Sequence, residues 1–357
     1  MTRGVQGLQP PITGRRIRFA LVGCGRIAPR HLQALERHSA DAELVAVCDV
    51  DPTALERTVA RTGVAGFASL EALLAGVEAD CIILATPSGL HAPQTIQAAD
   101  AGRHVVTEKP MATRWKDGHD MVTACDRAGV RLFVVKQNRR NPTVQLVKRA
   151  IDKNRFGRIF LVTTNVLWTR PQEYYDSAAW RGTWEFDGGA FMNQASHYVD
   201  LLDWLIGPVE SVHAFTATLA RRIEVEDTGV AIIRWRSGAL GTMSVTMLTY
   251  PKNYEGSVTI IGEKGTVRLG GVAVNRIEHW EFAEPDPDDA LVTDASYQAG
   301  SVYGIGHPLY YQNVIETLRG EAEPETDGRE GLRSLELLIG IYLSARDAKT
   351  VSLPLDY

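Results

Sequence analysis

The chain of 357 residues is longer than one typical domain, so we expect two domains. Its 45% hydrophobic and 23% charged residues are typical of a globular protein, and a net charge of −5 provides no overall attraction to nucleic acid or anionic membranes. No run of about 20 apolar residues could span a bilayer, and the N-terminus lacks the apolar stretch of a secretory signal. We therefore expect a cytoplasmic protein with neither nucleic-acid nor membrane partner, and a mobile tail over residues 1–15.

The first third alternates short apolar runs with helical segments. The runs are Ile17–Val22, Leu44–Cys48, Cys81–Ala85, His104–Thr107 and Leu132–Val135. Continuous apolar strands separated by helices indicate a parallel sheet covered on both faces. Right-handed crossovers then give a doubly wound α/β domain of the Rossmann type, which we place at residues 16–137. The four cysteines form no C-x-x-C pair and are expected to be buried free thiols.

Residues 138–357 have a different pattern and are predicted to form an α+β domain that binds substrate and mediates oligomerisation. Long runs rich in β-branched residues predict one large, mostly antiparallel open sheet: Arg158–Thr169, Val209–Ala220, Thr228–Trp235, Ala239–Thr249 and Ser257–Ile261. Both phases of several strands are apolar, so both faces need cover. A helix over 188–206 and the C-terminal helices can cover one face, and the other is a candidate interface of a homo-dimer or tetramer. The C-terminal helix could instead pack back on the first domain. The acidic segment 284–300 is predicted to be a loop.

A glycine-rich turn follows the first strand. Residues 23–28 read G-C-G-R-I-A, a second strand follows the next helix, and this strand ends at Asp49. Gly23 permits the tight turn, Gly25 lets a pyrophosphate approach the backbone, and free N–H groups at the helix start meet the phosphates. The Asp49 carboxylate can accept hydrogen bonds from the ribose hydroxyls and would repel a 2′-phosphate. The sequence therefore predicts a dinucleotide site that favours NAD over NADP.

Two further segments follow strands of this domain and lie at its ligand-binding edge. After the third apolar run, ATPSGLHAP places Thr86, Pro87, Ser88 and His91 near the cofactor, although the same residues could serve only as a loop and helix cap. After the fourth run comes Glu108-Lys109-Pro110. Lys109 is a candidate general base, because burial and the positive nicotinamide ring both favour its neutral form. The alternative is a surface lysine.

The stretch GGAFMNQASHYVD contains Asn193, His197 and Asp200 at helical spacing, so that the three side chains share one face. A buried core histidine and a metal ligand are the alternatives for His197, but a second ligand at zincin spacing is lacking, so no metal is expected.

Together, the glycine-rich turn, ATPSGLHAP, TEKP and GG-x₃-N-x₃-H resemble the glucose–fructose oxidoreductase, inositol dehydrogenase and rhizopine catabolism (Gfo/Idh/MocA) family, from about residue 16 to the C-terminal helix. The resemblance implies that Lys109 lies beside the substrate hydroxyl. His197 would then meet the hydroxyl that loses its hydride, and Asp200 would orient the imidazole. The family usually has Asp at the position of Asn193. Proton transfer would therefore depend on Lys109, His197 or both, and Asn193 would only position the substrate.

Polar and aromatic residues complete the predicted site. Residues 136–159 are strongly basic, which could be a solvated helix face or a patch that binds an anionic substrate, and WTRPQEYYDSAAWRGTW supplies rings and Arg181 for a sugar, base, carboxylate or phosphate. The predicted cofactor contacts are Gly23, Gly25, Arg26, Ile27, Asp49, Thr86, Pro87, Ser88, His91, Glu108, Lys109, Gln137, Trp180 and Arg181. The predicted substrate contacts are Lys109, Gln137, Arg139, Asn141, Tyr174, Tyr175, Arg181, Asn193 and His197. Lys109 and His197 are the predicted catalytic residues.

Longer strings, including KQNRRNP, YYDSAAWRGTW and TYPKNYEGSVTIIGEKGTV, resemble a nucleotide-sugar subgroup of this family. The resemblance implies NAD-dependent oxidation of the C3 hydroxyl of UDP-N-acetyl-2-amino-2-deoxy-D-glucuronate to a 3-keto sugar. It also implies a downstream PLP-dependent aminotransferase in surface-polysaccharide synthesis, and a 2-keto acid is a possible acceptor that recycles NADH. Three alternatives remain: a cyclitol or free-sugar dehydrogenase, a non-catalytic NAD-binding sensor, and an NAD-dependent glycosidase.

Overall fold

A computed structural model describes residues 7–299, 302 and 304–355. The strands are β1 Ile17–Val22, β2 Ala42–Cys48, β3 Ala65–Phe67, β4 Cys81–Leu84, β5 His104–Thr107, β6 Leu132–Val134, β7 Ile159–Leu167, β8 Val209–Ala217, β9 Thr228–Trp235, β10 Leu240–Thr246, β11 Glu255–Gly262, β12 Gly265–Gly270, β13 Arg276–Phe282 and β14 Val351–Ser352. The helices are α1 Ala28–Arg37, α2 Pro52–Thr62, α3 Leu70–Gly76, α4 His91–Asp100, α5 Trp115–Ala128, α6 Pro142–Asp152, α7 Gln172–Asp176, α8 Ser196–Ile206, α9 Val292–Ala295, α10 His307–Leu318 and α11 Gly328–Asp347.

The first sheet is parallel, with strand order β3-β2-β1-β4-β5-β6. The chain reverses direction across the sheet between β1 and β4, which makes the carboxyl ends of these two strands the expected ligand-binding edge. The strands β1, β4 and β5 are almost wholly buried, as continuous apolar runs require. The predicted Rossmann domain is confirmed.

The second sheet has the order β13-β12-β11-β7-β10-β9-β8-β14, and only β7 and β10 pair in parallel. It is the predicted large, mostly antiparallel sheet. Alternate residues of β9 and β10 are buried, among them Ile233, Trp235, Met243 and Val245. The opposite face of the same strands is exposed. This alternation is what an antiparallel sheet shows when one face packs against the core.

The chain folds into two compact units that interleave along the sequence. Unit 1 comprises residues up to Val135 together with His307–Leu332, and unit 2 comprises Lys136–Gly306 together with Arg333–Tyr357. The helix α10 therefore belongs to unit 1, where Tyr311, Val314 and Leu318 join the core cluster that contains Phe19 and Leu21. Substrate binding and oligomerisation by unit 2 stay predictions.

The segment before β1 is held against unit 1. The Gln9 N–H donates to the Gly129 carbonyl at 2.8 Å, and the Ile12 N–H donates to the Leu318 carbonyl at 2.9 Å. Gln9 and Ile12 are therefore not part of the mobile tail that was expected over residues 1–15. Residues 1–6 lie outside the described part of the chain. All four cysteines are free and buried, as expected.

Two local predictions are wrong. The helix expected over 188–206 is interrupted: residues Ala190–Gln194 form a π-helical turn, and α8 begins only at Ser196. The segment expected to be a loop contains a 3₁₀ turn at Pro287–Leu291 and the short helix α9. Asp286 caps this turn through a capping box with Asp289. This capping pattern is present in the sequence, but the irregular spacing of apolar residues led to the prediction of a loop. Within the described residues, no helix combines the length and apolarity needed to cross a membrane.

Candidate active site

The glycine-rich turn joins the end of β1 to α1 in unit 1. Gly23 has φ +97°, and a Cβ there would lie 2.5 Å from the carbonyl oxygen of Ala85, so only glycine fits between the ends of β1 and β4. A Cβ on Gly25 would meet nothing within 4 Å, which leaves open space above the backbone. No side chain caps the N-terminus of α1. These features fit the pyrophosphate of a dinucleotide, which needs close backbone approach and available N–H groups.

Asp49 is fixed at the end of β2. Its Oδ2 accepts a hydrogen bond from the Cys24 N–H at 2.7 Å, and its Oδ1 accepts one from the Asp51 N–H at 2.8 Å. A carboxylate has about four acceptor positions, so both oxygens can still accept from ribose hydroxyls. The exposed Arg57 donates to the Cys24 carbonyl at 3.3 Å, which places a guanidinium beside the same turn.

This arrangement predicts that Asp49 determines the preference for NAD over NADP. In Asp49→Asn the charge that repels a 2′-phosphate is lost while Arg57 remains. We therefore expect the ratio of kcat/KM for NAD to that for NADP to fall by at least about tenfold. Steady-state kinetics with both cofactors measures this ratio. Asp51→Asn, which removes a charge two residues away, is the matched control, and an unchanged ratio in Asp49→Asn would refute the assignment.

The loops after β4 and β5 are braced by His91. Its ring is fully buried, with Nδ1 2.9 Å from the Pro110 carbonyl and Nε2 3.0 Å from the Thr86 carbonyl. Burial lowers the pKa of His91 despite these two carbonyl oxygens. The Thr86 hydroxyl donates to Gln94 at 2.6 Å. His91 thus ties together two segments predicted to face the cofactor, and direct contact of Thr86, Pro87, Ser88 or His91 with NAD stays a prediction.

Glu108 is turned into a buried polar cluster of unit 1. Its Oε1 lies 3.2 Å from Nε2 of His31 and 3.8 Å from Nε2 of His307, and its Oε2 accepts from the Lys109 N–H at 3.1 Å. Burial opposes ionisation, but the nearby imidazoles of His307 and His31 outweigh it and hold the pKa of Glu108 well below its usual range. The cluster therefore fixes the main chain at the half-buried Lys109. Contact of Glu108 with the cofactor stays a prediction.

A second polar constellation lies in unit 2 around α8. The amide nitrogen of Gln137 is 2.9 Å from Nε2 of His197. A neutral imidazole with its proton on Nδ1 can accept this hydrogen bond from the amide, and the same tautomer is the one that a proton acceptor at Nε2 requires.

Asp200 makes a buried ion pair with residues that follow β6. Arg139 donates to it through Nε at 2.8 Å and Nη2 at 2.7 Å, and the Lys136 ammonium lies 3.5 Å from Oδ1. Lys136 also donates to the Ser334 hydroxyl at 2.6 Å. Arg139 was predicted to bind substrate, but it is 3% exposed and its guanidinium is shared between Asp200 and the Trp204 ring. Its role in this geometry is to hold α8, and substrate contact stays a prediction, as it does for the fully buried Asn141.

The π-helical turn gives Asn193 a partner that the sequence did not indicate. Its side-chain amide donates to Asp187, whose other oxygen accepts from the Gly182 N–H at 2.7 Å. Helical spacing suggested one face shared by Asn193, His197 and Asp200, but the π turn breaks the α-helical register between the first two. Asp187 directly precedes Gly188 in the sequence. This position beside the GG motif is the sequence feature from which Asp187 could have been identified as a partner of Asn193.

Aromatic rings and arginines cluster before the turn. The Arg181 guanidinium lies 4.4 Å from the centroids of both the Tyr174 and Trp180 rings and donates to the Tyr174 hydroxyl at 2.7 Å. Its Nε is buried without a hydrogen-bond partner among the described residues. Such an orphaned donor suits an anionic group of a ligand. Tyr175 is buried, and burial raises the pKa of its hydroxyl.

The basic segment 136–159 is largely neutralised within the chain. Arg149 pairs with Asp288, Lys153 with Asp286 and Asp288, and Arg155 with Asp289. The acidic segment 284–300 and the basic helix α6 therefore complement each other, which leaves less positive charge for a substrate than the sequence suggested. Among the described residues, no group of three potential metal ligands is close enough together to hold an ion.

A Rossmann sheet whose glycine-rich turn, helix N-terminus and carboxylate at the end of β2 fit a dinucleotide is typical of NAD-dependent oxidoreductases. The model of the NAD-binding Rossmann fold of the Gfo/Idh/MocA oxidoreductases matches residues 17–136, and the model of their C-terminal alpha/beta domain matches residues 148–353. The chain belongs to the Gfo/Idh/MocA family, and it is an NAD-dependent dehydrogenase.

Two dehydrogenases of known structure are more similar to this chain than the curated protein named after them. The chain is 69% identical to the WlbA dehydrogenase of Chromobacterium violaceum in complex with NADH and UDP-GlcNAcA, with a TM-score of 0.94 over 98% of this chain and 99% of that one. It is also 69% identical to the WlbA dehydrogenase of Bordetella pertussis in complex with the same ligands, with a TM-score of 0.95 over 97% and 100% of the two chains. The D-apiose dehydrogenase of Paraburkholderia graminis is 28% identical over 96% of this chain and 91% of its own length.

Proposed function

We propose that this protein oxidises the C3 hydroxyl of UDP-N-acetyl-2-amino-2-deoxy-D-glucuronate, abbreviated UDP-GlcNAcA, to the 3-keto sugar. The observation that carries the proposal is 69% identity, over nearly the whole chain, to two dehydrogenases whose structures contain UDP-GlcNAcA and NADH. The orphaned Nε of Arg181, set between two aromatic rings, supports an anionic, ring-containing substrate. Arg181, Tyr174 and Tyr175 are the proposed contacts to it.

The chemical step needs a hydride acceptor and a proton acceptor. NAD, when bound, supplies the hydride acceptor. Gly23, Gly25, Arg26, Ile27 and Asp49 would hold its pyrophosphate and ribose. Further cofactor contacts are proposed for Thr86, Pro87, Ser88, His91, Glu108, Lys109, Gln137, Trp180 and Arg181.

Two side chains are proposed to take the hydroxyl proton. Lys109 follows β5 at the ligand-binding edge of unit 1, and the main chain there is fixed by Glu108. Nε2 of His197 contacts the Gln137 amide nitrogen. A substrate hydroxyl is proposed to replace this amide as the hydrogen-bond donor to Nε2. Asn193 and Gln137 are proposed to orient the sugar by hydrogen bonding. That Lys109, His197 or both accept this proton is the central prediction of this mechanism.

The exposed face of the second sheet is the proposed interface between copies of this chain. Phe215 is opposite Val230, and Leu240 is opposite Leu161, which in turn is opposite Ile261. All five side chains are exposed. Contiguous exposed apolar residues mark association sites, and a face this regular suits a symmetric dimer or tetramer. We further propose a cytoplasmic enzyme of surface-polysaccharide synthesis, whose keto product passes to a PLP-dependent aminotransferase.

Absorbance at 340 nm tests the reaction directly. Purified protein and NAD are mixed with UDP-GlcNAcA, UDP-N-acetylglucosamine or myo-inositol, with and without a 2-keto acid. We expect NADH to form only with UDP-GlcNAcA, and we expect the 2-keto acid to sustain turnover if cofactor recycling occurs in place. UDP-GlcNAcA should also raise the melting temperature in the presence of NAD by roughly 2–6 °C at saturating concentration.

The other outcomes separate the alternatives. Turnover of inositol without any effect of UDP compounds would indicate a cyclitol dehydrogenase, a class also found among the curated relatives at 26% identity. Stabilisation by NAD without turnover of any sugar would indicate a sensor. Release of free sugar without NADH accumulation would indicate a glycosidase.

A further inference from the structure

The π-helical turn Ala190–Gln194 is held by two side chains that lie outside it. The main-chain oxygen of Glu226 accepts from the Ala190 N–H at 3.1 Å, and its Oε1 accepts from the Phe191 N–H at 2.9 Å. The next N–H, of Met192, donates to the Tyr342 hydroxyl at 3.1 Å. Three successive N–H groups at the start of this helical segment, where intrahelical partners are lacking, are therefore satisfied by Glu226 and Tyr342.

Glu226 and Tyr342 also bind each other. The Tyr342 hydroxyl, on α11, donates to Oε1 of Glu226 at 2.8 Å. Glu226 itself precedes β9 and is 3% exposed. The turn is thus hydrogen-bonded to the segment before β9 and to helix α11, both in the same unit.

Gly189, the second glycine of the GG motif, lies directly against the Glu226 carboxyl group. Gly189 has φ −93°, a conformation open to any residue, so its backbone does not require glycine. A Cβ built on Gly189 would instead overlap the carboxyl group of Glu226. Gly188 differs, because its φ of +77° does require glycine. The three atoms nearest to that Cβ position all belong to the Glu226 carboxyl group, which explains the absence of a side chain at Gly189.

The carboxyl group is buried with incomplete pairing. Its Oε2 has no hydrogen-bond partner in the described part of the chain. Burial raises the pKa of Glu226 to about 7, although the Phe191 N–H and the Tyr342 hydroxyl oppose the shift. Asp227 and Tyr342 are the titratable groups that face it. A buried acid with an unpaired oxygen costs stability, which is typical of groups retained for function rather than for folding.

We propose that Glu226 is a positioning residue, which holds the π-helical turn in the conformation that presents Asn193 and His197 to the substrate. His197 lies in the first turn of α8, directly after the π turn, so a displaced turn moves both side chains together. The inference rests on the proposed function, because that function assigns these two side chains to the sugar hydroxyl.

Substitutions at Glu226 separate positioning from folding. We expect Glu226→Ala to lower kcat by about 10–100-fold, because a displacement near 1 Å at the reacting centre has effects of this size. The dissociation constant for NADH should change by less than about threefold, since the proposed contacts to its pyrophosphate and ribose, Gly23, Gly25 and Asp49, lie in unit 1. Glu226→Gln keeps an acceptor for Phe191 and Tyr342 and should retain kcat within about threefold.

Glu224→Gln is the matched control. It makes the same change two residues away, at an exposed side chain that accepts from the Trp184 N–H at 3.1 Å, and it should leave kcat unchanged. NADH binding, followed by cofactor fluorescence, reports that each variant is folded. A Glu226→Ala enzyme that binds NADH and keeps wild-type kcat would overturn the proposal.

A double-mutant cycle provides a second test that does not depend on the stability of Glu226→Ala. Gly189→Ala in the wild-type chain should lower kcat by about tenfold or more, whereas in Glu226→Ala the added methyl group has space and should have little further effect. Equal effects in the two backgrounds would contradict the proposed steric relation. Both tests compare a variant with the wild type on whichever sugar the wild type oxidises. A wild-type enzyme active on another sugar would therefore refute UDP-GlcNAcA as the substrate, and the positioning role of Glu226 could still be measured.

Discussion

Lys109→Met is expected to lower kcat by about 10²–10⁴-fold while the dissociation constant for NADH changes by less than about threefold. Methionine keeps the length and apolar stem of lysine and removes only the amine that is proposed to accept the hydroxyl proton. The main chain at residue 109 is bonded to the Glu108 carboxylate, so the substitution should not disturb the neighbouring loop. Steady-state absorbance at 340 nm gives kcat, and fluorescence titration gives NADH affinity.

Lys116→Met is the matched control for this experiment. Lys116 is an exposed lysine on α5 whose partner is Asp120, one helical turn away, and its loss should leave kcat unchanged. Wild-type kcat in Lys109→Met would remove the lysine from the mechanism. If His197→Asn then abolished turnover, the imidazole would be the proton acceptor instead.

Asp200→Asn is expected to lower the free energy of unfolding by roughly 3–5 kcal/mol. The change removes the buried carboxylate that the Arg139 guanidinium and the Lys136 ammonium both face. Urea titration followed by circular dichroism measures the loss. Asp152→Asn removes the carboxylate of an exposed pair with Lys148 on α6 and serves as the control, with no expected change in the unfolding curve. Wild-type stability in Asp200→Asn would contradict this account of the ion pair.

The same ion pair has a defined pH dependence. Burial opposes ionisation of Asp200, but the charges of Arg139 and Lys136 outweigh it and lower the pKa to about 2 from the ordinary 3.8. Because the folded-state pKa lies below the unfolded value, this stabilisation is complete above about pH 4 and is lost as the pH falls towards 2. The difference in stability between the wild type and Asp200→Asn should therefore shrink over that interval.

The strands and the cofactor turn could be predicted from sequence because their signals are local. Ile17–Val22 and Thr228–Trp235 were predicted with the observed bounds, since a continuous apolar run or β-branched run is visible without knowledge of its neighbours. The glycine-rich turn and Asp49 could be predicted because a dinucleotide site requires glycines and a carboxylate at a fixed spacing in the sequence. The GG-x₃-N-x₃-H motif was found for the same reason.

What could not be predicted depends on contacts between distant segments. The pairing of Arg155 with Asp289 joins residues that no local periodicity relates, so the sequence left open a solvated helix face and an anion-binding patch and did not indicate the neutralised surface. The π turn depends on Glu226 and Tyr342, which lie 36 and 152 positions after Ala190. Helical periodicity assumes a regular backbone and cannot indicate where side chains from elsewhere impose an extra residue on a turn.

The return of α10 to unit 1 links the folding of the Rossmann domain to protein synthesis. Five residues of α10, among them Tyr311, Val314 and Leu318, complete a core whose other buried members lie at or before Val135, and residues 136–306 are translated between them. At about 5–20 residues per second, the ribosome needs roughly 10–30 seconds to make that intervening stretch. We therefore expect the nascent domain to expose, for at least this interval, the apolar surface that α10 later covers.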